Sequence, residues 1–354
     1  MDETLKRITA NNPEIEFHFI FDKPFDQSFI YGKNVIGHVV FPPTKHVAIF
    51  DLWFNVLLPR KIKKIKANYF LSLDGITSTK LSIPNHLVIH DINFEHRPQD
   101  LPKAPRNYYL KRSKIFSHLV TQIATVSKYS KTDIVNTYQV DSNKIDVVYN
   151  AAKQGFNPLS DTDKQLVKKE FSDGKEYFLY VGSLHPRKNL KNLLLAFDAF
   201  KSSTTSNKLL LVVGNVMWKD TKLQEVLKNC IHKNDVVFTG RKSDLDLQKI
   251  VGAAFALTYV PHFEGFGIPI VEAYACAVPV ITSNLTSLPE IAEDGAICVD
   301  PESVSQIANA MEQLTKDNSK RQKLIENGQK IIQKYSWDKT ANLYWNSVQK
   351  IFKR

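Results

Sequence analysis

The sequence is poor in cysteine and has no long apolar run. Its 354 residues include only three cysteines, Cys230, Cys276 and Cys298, with no C-x-x-C spacing. An odd number of scattered cysteines excludes a disulfide scaffold and a cysteine-rich zinc site, and it is typical of a reducing compartment. The most apolar stretch, 251–261, is too short to span a bilayer, and the opening MDETLKRITANN is unlike a signal peptide. We expect a cytoplasmic protein, with at most a peripheral contact at the inner face of the membrane.

The composition is that of a folded chain with an excess of positive charge. Hydrophobic residues make up 43% and aromatic residues 11%, which excludes disorder and allows packed cores. The length of 354 residues favours two domains. The 47 Lys and Arg against 36 Asp and Glu give a net charge of +11, which favours an anionic partner. Nucleic acid is not expected, because the basic residues form no recognised nucleic-acid motif.

Two basic stretches account for most of the positive charge in the first half. Residues 97–114 hold six basic residues and one acidic residue. Residues 59–70 hold no acidic residue and five basic ones, namely Arg60, Lys61, Lys63, Lys64 and Lys66. This second set, called the basic cluster below, follows the apolar run 52–58. Two interpretations stay open: a surface that faces the acceptor or an anionic membrane, or a helix packed on a sheet with solvated charges.

Short apolar runs alternate with helical patterns along the whole chain, which is typical of βα units and a parallel sheet. The predicted strands are 16–21, 38–42, 69–73, 86–90, 122–127 and 144–150 in the first half, and 177–182, 208–214, 235–240, 254–261, 278–283 and 296–300 in the second. The predicted helices of the second half are 189–201, 220–231, 243–252, 268–276 and 303–316.

This pattern predicts an α/β protein of two Rossmann-like domains rather than one large sheet. The first domain spans 1–155 and the second 156–336, with the polar segment 151–176 as the linker. A last helix, 337–354, is expected to cross back to the first domain. The chain opens in a helical pattern rather than a strand with a Gly-rich turn, so the first domain is predicted to lack its first strand.

A run from Glu264 to Glu272, EGFGIPIVE, carries the strongest local signal. Gly265 and Gly267 let the backbone approach a ligand, and a following helix would direct its first N–H groups at an anion. We expect Glu264 in the loop and Glu272 in the first turn of the helix, where either carboxylate could accept hydrogen bonds from sugar hydroxyls. The simpler alternative is a tight turn with Glu272 complementing the helix dipole.

The second signal is a strand–loop–helix segment, YFLYVGSLHPRKNL, in which Gly182 ends the strand. Arg187 and Lys188 then lie at the start of the helix, where cations are unfavourable to the helix itself. A phosphate group bound between them would explain their position, and plain solvated charges are the alternative. Both signals follow strands, at the edge of the sheet where such folds bind ligands.

Taken together, these motifs resemble the donor-binding half of glycosyltransferase family 4, whose members are retaining transferases with the two-domain GT-B fold. The matching motifs are G-x3-PRKNL (182–190), EGFGIPIVE (264–272), LPE (288–290), HDINFEH (90–96), TVSKYSK (125–131), VVYN (147–150) and SWDKTA (336–341). The resemblance implies two domains with parallel sheets that face a central cleft. It runs from about residue 15 to the end.

The resemblance implies a role for each matching residue. Lys188 together with Arg187 would hold the donor diphosphate, and Glu264 would bind hydroxyls of the transferred sugar. Glu272 would accept hydrogen bonds from the ribose hydroxyls, and His90 would reach the sugar from the first domain. Further donor contacts are implied for the backbone of Gly265, Phe266 and Gly267 and for the loops at Gly182, Gly240 and Arg241.

The resemblance also implies that no metal or other cofactor is needed, because members of the family work without one. Asp244-Leu245-Asp246 matches a D-x-D motif but follows Ser243 at a predicted helix start, so we interpret it as a cap. The histidines show no paired ligand spacing. Ser183 departs from the family pattern, since many members have a second phosphate-binding arginine there. Either Arg187 would substitute for it, or the affinity for the donor would be low.

The sequence therefore predicts a retaining glycosyltransferase that moves a sugar from a nucleotide-sugar to a saccharide or lipid-linked acceptor, in glycan, polysaccharide or lipopolysaccharide assembly. Two alternatives stay open. One is a GT-B-like nucleotide-sugar epimerase, which would turn over without an acceptor. The other is a nucleotide-sugar-binding protein that is inactive because the first strand and its Gly-rich loop are missing.

Overall fold

The computed structural model describes residues 1–215 and 221–352 and divides them into two compact α/β units. The first unit comprises Met1–Asn150 together with the segment that begins at Trp337, and the second comprises Ala151–Ser336. All the strand pairs in these units are parallel. Parallel neighbours need a crossover between them, which explains the alternation of strand and helix patterns along the chain.

The second unit contains a six-stranded sheet in the order β12-β11-β10-β7-β8-β9. Its elements are α7 Asp161–Ser172, β7 Tyr177–Val181, α8 Leu190–Ser203, β8 Leu209–Val213, α9 Thr221–Asn229, β9 Val236–Gly240, α10 Asp244–Gly252, β10 Ala256–Tyr259, α11 Ile268–Ala275, β11 Val280–Ser283, α12 Leu288–Ala292, β12 Ala296–Val299, α13 Val304–Lys316 and α14 Asn318–Ile331. The chain leaves β7 toward β8 on one side and returns to β10 on the other. The neighbouring carboxyl ends of β7 and β10 are therefore the point at which the strand order reverses.

The first unit has a four-stranded sheet, β3-β4-β5-β6, and a separate two-stranded sheet, β1-β2. Its elements are α1 Asp2–Asn11, β1 Phe17–Phe21, β2 Val35–Val39, α2 Val47–Leu52, α3 Leu58–Lys64, β3 Phe70–Ser72, β4 Asn85–Ile89, α4 Asn93–His96, α5 Lys103–Leu119, β5 Gln122–Thr125, α6 Lys128–Tyr138, β6 Ile145–Val147 and α15 Trp337–Phe352. Helix α15 packs against α1 and β5. The six predicted strands of this half are thus divided between two sheets.

One predicted strand, 38–42, is misplaced, since β2 is Val35–Val39. Gly37 interrupts the apolar pattern at the centre of the true strand and so concealed it. A Cβ atom at Gly37 would lie 2.1 Å from the ring of Phe25, so only glycine leaves room for that ring. The predicted end is also too late, because Pro42 and Pro43 have no N–H to donate to a sheet.

The predicted linker 151–176 is also corrected, because its second half forms helix α7. Ser160 caps this helix, its Oγ accepting a hydrogen bond from the backbone N–H of Asp163 at 3.1 Å. Val167 is buried, whereas most of the helix is exposed and polar, and this is why its sequence resembles a linker. Two predicted helices, 220–231 and 337–354, reach residues 220 and 353–354, which lie outside the described residues.

The basic cluster lies on and just after α3. Leu58 and Ile62 of this helix are buried in a small core with Trp53, and Ile20 and Val40 also pack there. The apolar side of the segment is therefore covered by protein, as the second interpretation of the sequence proposed. Four of the five cations are exposed, namely Arg60, Lys63, Lys64 and Lys66. Among the described helices, none is both long and apolar enough to cross a membrane.

Candidate active site

The candidate site lies in the second unit, in the segments that follow β7 and β10. After β7 the chain passes Gly182 and forms a short 3-10 turn, Pro186–Lys188. Asn189 then adopts a left-handed conformation with φ 60° and α8 begins at the next residue. The loop after β10 carries Glu264. Because β7 and β10 are neighbours, these two loops lie side by side at the carboxyl edge of the sheet.

Three charged side chains meet between these loops. The Lys188 ammonium contacts Oε1 of Glu264, and Nη1 of Arg187 lies 3.1 Å from the same oxygen. Arg187 also donates a hydrogen bond to the carbonyl of Phe263 at 2.8 Å. Only 11% of the Glu264 side chain, 15% of Lys188 and 18% of Arg187 are exposed. The structure thus brings together three of the four residues predicted to be catalytic.

This geometry settles the charge of the Glu264 carboxyl group. Burial alone would raise its pKa, but the Lys188 and Arg187 charges outweigh burial and hold the pKa of Glu264 below its ordinary value. The carboxylate is therefore ionised at neutral pH and accepts hydrogen bonds without donating any. Such a group suits the recognition of sugar hydroxyls, which are donors.

Several side chains that the sequence analysis missed support this cluster. Asn189 is 2% exposed, and its amide donates to the carbonyls of Val260 and Pro301 at 2.9 and 2.8 Å. Glu264 is held through its backbone, since its N–H donates to Thr286 and its carbonyl accepts from Ser287. A Ser, Thr or Asn in a loop carries no distinctive pattern, so only the three-dimensional contacts identify these residues.

Another residue that the sequence analysis missed is Tyr259, the last residue of β10. Its phenol oxygen accepts a hydrogen bond from Lys188 Nζ at 2.9 Å, and the side chain is 1% exposed. In the sequence it belongs to an apolar strand, ALTY, where an aromatic residue indicates core packing. Its position at the strand end, directly before the loop of Glu264, is the only sequence signal that could have identified it.

The turn that follows Glu264 depends on one glycine. Gly267 has φ 99° and directly precedes α11, and a Cβ atom there would lie 2.7 Å from Leu288 Cδ2. Phe266 is 3% exposed and packs edge-on against the ring of Tyr335. The Phe266 side chain thus anchors the turn in the core. The prediction that Gly265, Phe266 and Gly267 contact the donor through their backbone stays a prediction.

Glu272 lies deeper than expected. It is in the second turn of α11, not the first, and is 7% exposed. Burial raises its pKa to about 8, with Lys153 lowering it and Asp244 raising it to smaller extents. Because Glu272 lies beyond the first turn of α11, its interaction with the helix dipole is weak. The Glu272 carboxyl group is protonated near neutral pH in the structure as it stands.

The glycine loops at this edge of the sheet lie close to one another. Gly214 follows β8, and a Cβ atom on it would lie 1.8 Å from the carbonyl oxygen of Gly182. Gly214 also donates to the carbonyl of Gly240 at 3.0 Å, and the Arg241 N–H donates to Asn215 Oδ1 at 3.1 Å. Gly182, Gly240 and Arg241 are therefore parts of one continuous edge, and the Arg241 side chain is exposed.

His90 belongs to the first unit, where it directly follows β4. Burial lowers its pKa, so the imidazole is neutral at physiological pH and can both donate and accept a hydrogen bond. Its backbone carbonyl accepts a hydrogen bond from Ser130 Oγ at 3.3 Å. Its predicted contact with the sugar stays a prediction.

The D-x-D motif is a helix start. Asp244 and Asp246 are in the first turn of α10, and Ser243 Oγ accepts a hydrogen bond from the Asp246 N–H at 3.1 Å. Within 1–215 and 221–352, no group of three His, Cys, Asp or Glu side chains is arranged to hold a metal ion. The positive charge of the site is supplied by Arg187 and Lys188.

The fold and this site define a class of protein: two α/β units with parallel sheets, in which a cluster of two cations and a carboxylate lies at the reversal point of one sheet. Residues 161–331 match the sequence profile of the family "Glycosyl transferases group 1". The O-antigen chain mannosyltransferase B of Escherichia coli is 30% identical over 260 residues, which cover 72% of this chain and 68% of that protein. The O-antigen chain mannosyltransferase RfbU of Salmonella typhimurium is 32% identical over 61% of this chain and 56% of that protein. The chain belongs to the group 1 glycosyltransferases, as the motifs predicted.

Solved structures agree on the fold. WaaG, a glycosyltransferase of lipopolysaccharide biosynthesis, is similar with a TM-score of 0.77 at 14% identity, over 96% of this chain and 94% of that chain. Anabaena Alr3699/HepE, solved in complex with UDP and glucose, has a TM-score of 0.76 at 15% identity, over 98% and 95% of the two chains. These similarities confirm the predicted GT-B fold with two α/β domains.

Proposed function

We propose that this chain is a retaining hexosyltransferase that moves a sugar, with mannose as the first candidate, from a nucleotide-sugar to an acceptor hydroxyl in polysaccharide assembly. Two relatives named O-antigen chain mannosyltransferases support the sugar and the pathway class. The complex of HepE with UDP and glucose supports a nucleotide-sugar donor. The observation that carries the proposal is the contact of Arg187 and Lys188 with Glu264 at the carboxyl edge of the sheet.

The two cations would bind the donor diphosphate. In the structure the Glu264 carboxylate occupies the position of an anion between Arg187 and Lys188. An incoming diphosphate would take over part of this contact and leave the carboxylate to accept hydrogen bonds from the sugar. At an effective dielectric constant near 20, two unit charges 4 Å apart attract by about 4 kcal/mol before desolvation. The same cations would stabilise the negative charge that develops on the leaving diphosphate.

The reaction would proceed on one face of the sugar. The bond between the anomeric carbon and the diphosphate oxygen breaks, and the acceptor oxygen bonds to the same carbon from the same side. The acceptor proton passes to a diphosphate oxygen, so that charge and atoms balance. Transfer would need no metal, because Arg187 and Lys188 supply the positive charge, and it should therefore persist in a chelator.

The remaining predicted residues have supporting roles in this proposal. Glu272 would accept hydrogen bonds from the ribose hydroxyls, and the charge of Lys153 favours its ionised form. His90, neutral and at the end of a strand, would contact a sugar hydroxyl. The donor would also meet the backbone of the three loops that follow β7, β9 and β10, namely at Gly182, Gly240, Arg241, Gly265, Phe266 and Gly267.

The basic cluster would face the acceptor or an anionic membrane surface. Its apolar side is packed on protein, so any attachment to lipid would be electrostatic and would weaken with salt. A lipid-linked acceptor at the inner face of the membrane fits both this charge and polysaccharide assembly.

The proposal is tested by screening uridine and guanosine diphosphate sugars for thermal stabilisation, followed by a transfer assay with the donor that binds. We expect transfer that continues in EDTA, and a product whose anomeric configuration, read by NMR, equals that of the donor. An inverted product would overturn the retaining reaction. Turnover of the donor without any acceptor would favour the epimerase, and nucleotide-sugar binding with no turnover would favour the inactive binding protein.

A further inference from the structure

Tyr259 is buried beside the ion pair of Lys188 and Glu264. Its side chain is 1% exposed, and its phenol oxygen lies 2.9 Å from Lys188 Nζ. The same ammonium contacts the Glu264 carboxylate, and the phenol is near enough to that carboxylate to help hold its pKa below the ordinary value. The Lys188 ammonium additionally lies 5.4 Å from the centroid of the tyrosine ring. The phenol thus contacts the ammonium of the ion pair directly and lies beside the carboxylate.

The chemistry of a phenol suits this place. An O–H group can accept from an ammonium and donate to a carboxylate at the same time. Burial raises the pKa of Tyr259 well above its ordinary value, so the proton needed for donation stays on the oxygen. The backbone is fixed as well, because Tyr259 ends β10 and its carbonyl accepts from Thr282 Oγ1 at 2.8 Å. The ring therefore has little freedom to move.

We infer that Tyr259 is a positioning residue, whose phenol holds the Glu264 carboxylate and the Lys188 ammonium in their reactive places. Glu264 depends most on this positioning when the donor is bound. In the proposed function, which this inference extends, Lys188 then turns toward the diphosphate and weakens its contact with a buried carboxylate. The phenol O–H is the neutral donor that keeps Glu264 oriented toward the sugar during that exchange.

The first experiment compares Tyr259→Phe with Tyr177→Phe and needs no substrate. Tyr177 is a matched control in the same sheet: its side chain is fully buried, and its phenol donates to the carbonyl of Ile250 at 2.7 Å, away from the ion pair. Both variants lose one buried hydroxyl and keep the ring. The unfolding midpoint of each protein is measured from about pH 7 down to about pH 2.5, a range that includes the lowered pKa of Glu264.

The expected result follows from the groups that face Glu264, which are Arg187, Lys188, Tyr259 and Tyr180. Removal of the Tyr259 phenol raises the pKa of Glu264 in the folded state, so the stabilisation that ionised Glu264 provides is lost at a higher pH as the solution is acidified. The difference in midpoint between wild type and Tyr259→Phe should therefore shrink toward acidic pH. The difference in unfolding midpoint between wild type and Tyr177→Phe should not depend on pH. Parallel curves for both variants would overturn the inference, since they would assign Tyr259 a packing role only.

The second experiment measures ligand binding. Tyr259→Phe should weaken the affinity for the nucleotide-sugar about ten- to a hundredfold, as expected for a hydrogen bond to a charged group, and change the affinity for the free nucleoside diphosphate less than about threefold. In a Glu264→Gln background the same change should have little further effect, because Tyr259 acts through Glu264. Equal losses in both backgrounds would contradict the inference. If wild type binds no nucleotide-sugar, the proposed function fails, and the pH experiment alone decides the role of Tyr259.

Discussion

Lys188 and Glu264 are 76 residues apart in the chain, yet the ammonium of one contacts the carboxylate of the other, with 15% and 11% of their side chains exposed. One follows β7 and the other follows β10, strands that the topology makes neighbours. A buried ion pair is weak support for stability, because desolvation offsets most of the attraction. Its position at the reversal point of the sheet instead favours a role in binding, and both partners are exposed enough to exchange contacts with a ligand.

Replacement of Lys188 by alanine should impair both binding and stability. The affinity for a nucleoside diphosphate should fall about ten- to a hundredfold, through the loss of a charge-assisted hydrogen bond. The unfolding free energy at neutral pH should fall by about 1–3 kcal/mol, because Glu264 stays buried with Arg187 as its remaining cation. Calorimetric titration and urea unfolding measure the two effects.

The matched control for this variant is Lys191→Ala. Lys191 is exposed and lies in the first turn of α8, three residues further along the chain. The Lys191→Ala variant removes the same charge near the same loop. In the site described above, however, Lys191 makes no contact with Glu264. If Lys191→Ala weakened nucleoside diphosphate binding as much as Lys188→Ala, general electrostatic attraction would explain the affinity.

Glu272→Gln should stabilise the ligand-free protein at alkaline pH. The folded-state pKa of Glu272 is about 8, above the ordinary value of 4.5. Below about pH 4.5 the carboxyl group is protonated in both the folded and the unfolded chain, and its stabilising contribution to the fold is complete. Between about pH 4.5 and pH 8 it ionises in the unfolded chain only, so this contribution is lost as the pH rises. Gln has no proton to lose, so the variant should gain a few kcal/mol relative to wild type between about pH 5 and pH 8.

Chemical denaturation at a series of pH values checks this expectation. Glu225→Gln is the control, because Glu225 is exposed on α9 of the same unit. The stability difference between Glu225→Gln and wild type should not depend on pH in this range. A flat difference for Glu272→Gln as well would show that Glu272 is ionised in the folded protein. Weaker nucleotide binding by the stabilised variant would further support the proposed ribose contact.

The sequence predicts the strands well for a physical reason. Parallel strands covered on both faces are continuous apolar runs, such as Tyr177–Val181 and Leu209–Val213, and need no knowledge of their neighbours. Strand β2 was misplaced because Gly37 interrupts its apolar pattern. The glycine leaves space for the ring of Phe25, and this contact is visible only in the folded chain. Helix α7 was missed because only a narrow side of it is buried.

The site could be predicted in part for a similar reason. Arg187, Lys188 and Glu264 follow strands, and no residue of opposite charge is close to any of them in the sequence, so the sequence alone predicts a ligand site. Tyr259 could not be predicted, because a tyrosine in an apolar strand is most simply a core residue. The depth of Glu272 depends on where α11 starts, and element boundaries are the least reliable part of any reading of sequence.

Gly267→Ala should be more damaging than an ordinary glycine substitution. Alanine at φ 99° is strained, and its Cβ would also lie 2.7 Å from Leu288 Cδ2, so either the buried Leu288 side chain or the turn before α11 must shift. We expect a loss of about 2–4 kcal/mol in unfolding free energy and weaker nucleotide-sugar binding. Thermal and urea unfolding, with donor titration, test both effects.

Gly174→Ala separates strain from collision. Gly174 has φ 77°, and nothing lies within 4 Å of the position its Cβ would occupy. This control should therefore lose only about 1 kcal/mol and leave donor binding unchanged. Similar losses for both variants would mean that the loop relaxes around the new methyl group. Its shape would then matter less to the site than the contact with Leu288 indicates.

Neutralising the basic cluster should release the protein from anionic vesicles without unfolding it. The variant replaces Arg60, Lys61, Lys63, Lys64 and Lys66 by glutamine. Each cation near an anionic surface contributes about 1 kcal/mol, so loss of all five should reduce partitioning to vesicles rich in anionic lipid by up to roughly 5,000-fold at low salt. Four of these side chains are exposed, and Leu58 and Ile62 keep the helix anchored in the core. The unfolding midpoint should therefore change little.

The control removes an equal charge from the second unit by changing five exposed lysines to glutamine: Lys169, Lys175, Lys228, Lys249 and Lys323. These residues are scattered, so their loss should reduce vesicle binding only slightly, through the net charge. The fraction of each variant that sediments with the vesicles is measured at increasing salt concentrations. If both lost binding equally, net charge and not the cluster would attract the membrane. If wild type did not bind vesicles but the cluster variant transferred sugar more slowly, the cluster would instead face the acceptor.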